Sequence, residues 1–141
     1  MASIVSPGLL DYIGVEVGLA RALATVKLLQ PDLVEPRGCV LLQDRFSSAV
    51  FDSWWTRLDG DISRIEEVMN HLHFWDLFDD REGSEVEERA VAEMAEAIAT
   101  AWRWHLADRL PHRSFQVLVS RATEDGYGPT VTFRSADPTD E

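Results

Sequence analysis

The chain reads as an α+β domain, a small and mainly antiparallel sheet packed against about four helices. Three observations lead there. Short apolar runs pair across turn residues in two stretches, near 33–42 and 115–134, as hairpins do. Start and stop signals bracket amphipathic helical segments before, between and after them. With 141 residues, 45% of them hydrophobic, the chain can also bury a core without disulfides or a structural metal.

Ser6-Pro7 suits a helix start, with serine as N-cap and proline at the first helical position. Leu19 to Leu29 is good helix material, whereas Ile13-Gly14-Val15-Glu16-Val17 also alternates as a strand would. One helix over 8–30, closed by Pro31, is the favoured reading. Gly14, Gly18 and Ala22 would then form a small-residue stripe suited to close packing. Asp11, Glu16 and Arg21 rule out the membrane form of such a stripe.

Leu33-Val34-Glu35 and Cys39-Val40-Leu41-Leu42 flank Pro36-Arg37-Gly38, a turn between two short strands. A helix follows from Ser47 or Ser48 to about Leu58, and Asp59-Gly60-Asp61 breaks it. Asp61 can cap the next helix, which places Ile62, Ile65, Met69 and Leu72 on one face.

After a loop at 81–83, Ser84-Glu85-Val86-Glu87 matches a capping box, so a long helix should run from about Glu85 to Leu110. Its acidic first turns and its late Arg103 and Arg109 both suit the helix dipole. Ala90, Met94, Ile98, Ala101 and His105 fall in one stripe, which is the expected core face. Phe115 to Ser120 and Thr130 to Phe133 alternate as strands, joined through Asp125-Gly126-Tyr127-Gly128-Pro129. The expected organisation is one domain over 1–135 with a frayed polar tail over 136–141.

Charge narrows the function classes. The chain has 25 acidic and 13 basic residues, a net charge of -12. Residues 1–60 carry 7 acids and 5 bases (-2), and residues 61–141 carry 18 acids and 8 bases (-10). The excess peaks between positions 76 and 96, with 9 acids against 2 bases. Phosphate backbones and anionic membranes would be repelled, so nucleic acid and membrane partners are disfavoured. Basic proteins and cations are favoured. Cys39 is the single cysteine, the N-terminus has no basic lead into an apolar core, and no apolar run spans a bilayer. A cytoplasmic location is the expectation.

One short segment concentrates the reactive side chains: Asn70-His71-Leu72-His73-Phe74-Trp75-Asp76-Leu77-Phe78-Asp79-Asp80. In a strand, His71 and His73 would share a face. In a helix they would diverge, and His73 would instead meet Asp76 one turn on. Zinc sites need three or four protein ligands. His71, His73, Asp76 and His105 form the candidate set for a divalent metal, in a small metal-dependent hydrolase whose metal activates water. His105 also has a structural reading as a core histidine bonded to a backbone carbonyl or a carboxylate. A Cys39–His105 nucleophile pair is disfavoured because Cys39 sits in an apolar strand. No GxSxG, Walker A, GxGxxG or HExxH pattern occurs, and Gly126-Tyr127-Gly128 is too short for a phosphate loop.

Five tryptophans, with Trp54-Trp55 adjacent and Trp102 and Trp104 two apart, exceed what one narrow core stripe can take. Surface tryptophan points to a partner surface or a homodimer seam. The favoured function is therefore a non-enzymatic acidic protein-binding module, of inhibitor, immunity or adaptor type, docking a basic partner. Its candidate contact residues are Trp54, Trp55, Trp75, Asp79, Asp80, Glu82 and Glu85. The metal-dependent hydrolase is the alternative, ranked second because its ligands must converge from distant positions.

Overall fold

The computed structural model describes residues 8–78, 84–121 and 128–136. The expected Ser6-Pro7 start, the loop at 81–83, positions 125–127 of the second hairpin and the tail beyond Ala136 lie outside them. The architecture is α+β, with two antiparallel sheets of two and three strands and helices packed around them. Among the described residues no helix is long and apolar enough to cross a membrane.

The first helical region departs from the expected single helix. α1 (Leu9–Tyr12) runs into a π-helical stretch (Ile13–Val17), and α2 (Gly18–Leu29) follows. Gly18 has a φ of 83° and a ψ of 166°, a conformation open to glycine and strained for other residues. The helix therefore breaks there, and Gly14, Gly18 and Ala22 do not form one continuous stripe. The strand-like alternation of Ile13 to Val17 reflects a segment that fits no regular 3.6-residue helix.

β1 (Leu33–Val34) and β2 (Leu41–Leu42) pair antiparallel around the Pro36–Gly38 turn, in the register Leu33 with Leu42 and Val34 with Leu41. α3 (Ser48–Arg57) is capped by the Ser47 hydroxyl, which accepts from Val50 N. Asp59 and Gly60 turn the chain through positive φ, and Asp61 caps α4 (Ile62–Met69). β3 (Leu72–His73) leads directly into α5 (Phe74–Leu77). α6 (Glu85–Arg109) starts with the expected reciprocal capping box between Ser84 and Glu87.

β4 (Phe115–Ser120) and β5 (Thr130–Ser135) pair along their whole length, and β3 lies on the other side of β5. The main core lies between this sheet and α6. Trp102 of α6 meets Phe133 edge-on at 5.7 Å, and Phe115 meets Phe133 at 5.9 Å. A second core joins Cys39, Leu41, Phe51, Ile65 and Met69, beneath α3 and α4.

The buried face of α6 is rotated from the expected stripe. Val91, Ala95, Ile98, Ala99, Trp102 and Leu106 are buried, as is His105, whereas Ala90 is exposed and Met94 is 38% exposed. Alanines occur all round this helix, so its apolar pattern has no sharp direction. The packing of Trp102 and Leu106 against the sheet sets the rotation.

β3 pairs with only Thr130 and Val131 of β5, which leaves the same edge of β5 open further along. Two side chains of α4 continue the pairing. Asn70 Nδ2 donates to the carbonyls of Phe133 (3.4 Å) and Val40 (3.0 Å), while its Oδ1 accepts from Leu42 N (2.9 Å). Glu66 accepts from Ser135 N (2.7 Å) and Val40 N (2.8 Å). Both side chains have no exposed surface. They occupy the place of a missing strand between β5 and the segment entering β2.

Asn70→Leu would leave three backbone polar groups without this partner. We expect it to lower unfolding free energy by at least about 2 kcal/mol in urea titrations. Gly128 has φ 71°, and a Cβ there would overlap the Trp75 indole. Gly128→Ala is expected to lower stability by about 2 kcal/mol or more and to shift Trp emission.

Candidate functional site

The histidine segment takes the strand form at its start. α4 ends at Met69, and His71 follows its C-cap residue Asn70. His71 Nδ1 donates to the Glu67 carbonyl at 2.8 Å, because a carbonyl can only accept. The His71 and His73 rings stack, with centroids 5.4 Å apart and planes 20° from parallel. The shared face that an extended H-x-H pair predicts is present. It ends there, since α5 begins at Phe74; Trp75 packs against the main core and Asp76 is exposed.

His105 is elsewhere. It is 8% exposed, and its Nε2 donates to the Pro31 carbonyl at 2.8 Å. One turn earlier, Trp102 Nε1 donates to the Leu28 carbonyl at 2.9 Å. The two rings tie α6 to the last turn of α2 and the residues after it, a fixing role for both. Among the described residues no three His, Cys, Asp or Glu side chains come together to hold a metal ion. The expected set of His71, His73, Asp76 and His105 does not come together: His71 and His73 stack on each other, whereas His105 bonds to the Pro31 carbonyl.

The tryptophans are also divided. Trp54 and Trp55 are half-buried against the second core, and each carries a guanidinium on its ring: Arg57 over Trp54 at 4.7 Å, Arg37 over Trp55 at 5.0 Å. Trp75 is half-buried too, whereas Trp104 is 76% exposed. Glu85 is exposed in the first turn of α6. Asp79, Asp80 and Glu82 lie outside the described residues.

The most unusual ionisable group is one that the sequence reading passed over. Glu66 is fully buried, and burial pushes its carboxyl above the ordinary value near 4.5. Hydrogen bonds from Val40 N, Ser135 N and the Ser135 hydroxyl oppose that shift, as does the Arg113 guanidinium 3.7 Å away. Arg113 itself donates to Ser135 Oγ at 2.8 Å and lies over the Phe115 ring. The available signal was a polar pair, Glu66 and Asn70, spaced i and i+4 beside the apolar face of Ile62, Ile65 and Met69. Cys39 is buried close by, and burial and then the Glu66 charge push its thiol up to about 11. A thiol held there stays protonated and unreactive near neutral pH.

A groove of about 400 Å3 runs between α2, the β1–β2 hairpin and α5, with Leu28, Leu42, Leu72 and Trp102 in its wall. Its rim carries Asp44, Arg45 and the Lys27–Asp32 ion pair at 3.0 Å. The charged lining residues, two bases and two acids, balance.

No family model, curated protein or solved structure matches the chain.

Glu66 gives a pH signature. A carboxyl whose folded-state pKa is raised contributes stability that is fully present below its unfolded value and is lost as pH rises through the folded value. Wild type compared with Glu66→Gln isolates this contribution, because the other carboxylates are common to both. The wild-type advantage should shrink as pH rises from about 4.5 toward neutrality, as read from paired denaturation curves. An advantage that grows over that range would show the opposite shift.

Proposed function

We propose that this chain is a non-enzymatic, acidic protein-binding module that docks a basic partner. The observation carrying this reading is the outer face of α6. Val86, Ala90, Ala97, Ala101 and Trp104 recur at helical spacing, so they line one stripe about 27 Å long. Val86 is 68% exposed and Trp104 is 76% exposed. Three exposed carboxylates, Glu85, Glu93 and Asp108 one turn beyond Trp104, and one exposed base, Arg89, lie along the stripe. Arg103, the base nearest Trp104, reaches instead toward the Val117 carbonyl at 3.4 Å.

An exposed indole in a row of small side chains offers a partner a large contact at little entropic cost. The surrounding negative charge selects cationic partners and speeds their approach. The net charge of -12 supports the same choice at long range. The proposed contact set is therefore Glu85, Glu93, Trp104 and Asp108, together with the acidic residues 79, 80 and 82 that precede the helix.

The test is affinity capture with the full chain at about 50 mM and about 500 mM salt, followed by binding measurements with the captured protein. The expected partner is basic, and its affinity falls at least about tenfold at the higher salt. Trp104→Ala and the triple variant Glu85→Lys, Glu93→Lys, Asp108→Lys should each weaken it by a similar factor. Binding that ignores both salt and these substitutions would overturn the proposal.

A further inference from the structure

The N-terminal helical region is the part of the molecule whose surface is least accounted for. None of its residues from Leu9 to Leu29 is buried. Of the thirteen large hydrophobic side chains exposed among the described residues, seven lie here. Leu10 is 82% exposed, Val15 80% and Leu19 87%. On α2, Leu19, Leu23 and Val26 stand at i, i+4 and i+7, so they form a single apolar face turned to solvent.

This region is nonetheless held firmly at one end. Leu28 and Leu29 pack on the main core, and Trp102 and His105 bond to the carbonyls of Leu28 and Pro31. Lys27 pairs with Asp32. The arm is therefore anchored by its last turn and presented outward from there.

We propose that this arm is a self-association surface, and that its occupant is the same arm of a second copy, crossing antiparallel about a two-fold axis near Gly18. Charge selects this occupant. Residues 8–30 carry Asp11 and Glu16 in the first half and Arg21 and Lys27 in the second, a net charge of zero on a chain of -12. Two copies repel over most of their surfaces but not here. Antiparallel crossing sets Glu16 of each copy beside Arg21 of the other, and Asp11 toward the basic end. Parallel pairing would set like charges together. A basic partner finds no net charge on the arm, and an anionic bilayer is repelled by the molecule as a whole.

Area and shape agree. Leu19, Leu23 and Val26 give α2 one apolar face, and Leu9, Leu10, Tyr12 and Val15 add exposed apolar side chains before the break at Gly18, toward the ~800 Å2 per partner of a standard interface. Soluble proteins rarely leave contiguous apolar patches of more than a few hundred Å2 open. A Cβ added at Gly14 or Gly18 would meet nothing within 4 Å, so the backbone is open to close approach at the proposed crossing. A two-fold pairing is self-complementary and closes at two copies.

Sedimentation velocity and light scattering on the full chain at about 5–100 µM should give a dimer that persists at high salt, because apolar burial drives it. Leu19→Glu with Leu23→Glu should weaken dimerisation at least about thirtyfold while circular dichroism stays unchanged, since both side chains are exposed. Glu16→Arg and Arg21→Glu should each weaken it, and the two together should restore it. A wild-type monomer across that range would overturn the proposal. So would a dimer insensitive to the leucine pair, or a charge swap without rescue. Capture through α6 should survive the leucine substitutions, so the two surfaces can fail separately.

Discussion

The central strand β5 has one neighbour along its full length and another that stops after two residues. Backbone groups buried without partners are costly, so the exposed remainder of that edge must be satisfied or solvated. Asn70 and Glu66 meet the requirement from α4, and the same two side chains also hold the backbone of Val40 and Leu42. Helix α4, the small hairpin and the main sheet are therefore positioned by one set of hydrogen bonds. The two hydrophobic cores lie on either side of it, so the packing of each depends on where this polar layer holds the backbone.

The same layer explains the electrostatics of the interior. A carboxylate is used where an amide could have served one edge, because Glu66 must accept from two backbone donors on different segments and from a hydroxyl. An ionised group in that place is disfavoured by burial, and Arg113 offsets this only partly from 3.7 Å. Burial, and after it the charge of Glu66, raise the Cys39 thiol and keep it protonated near neutral pH. The buried polar groups Glu66 and Asn70, with Arg113 beside them, thus join α4, the small hairpin and the main sheet.

On the surface, two helical faces differ in kind. The outer face of α6 mixes small apolar side chains and one indole with carboxylates, whereas the N-terminal arm is apolar and electrically neutral. A face of the first kind suits a charged and exchangeable partner, and one of the second kind suits a lasting contact between like copies. Both faces project from α6 and its anchor on α2, so the rings of Trp102 and His105 position them relative to the core.

Local chemistry was enough for the sequence by itself to determine the α+β class, the approximate places of the strands, the caps at Asp61 and Ser84, and the course of α6. Each of these rests on neighbours within a few residues, where side-chain and backbone chemistry act directly. The break at Gly18 was half legible, as an alternation that suited no single element. Tertiary structure alone decided the rest. It chose which side of an alanine-rich helix faces inward, which of five tryptophans stays exposed, and that His105 meets Pro31 rather than His73. It also turned Glu66 and Asn70 into a substitute strand across segments up to 69 residues apart in sequence. Such outcomes depend on which distant backbone groups would otherwise lie buried and unpaired, and the order of residues along the chain does not contain that information locally.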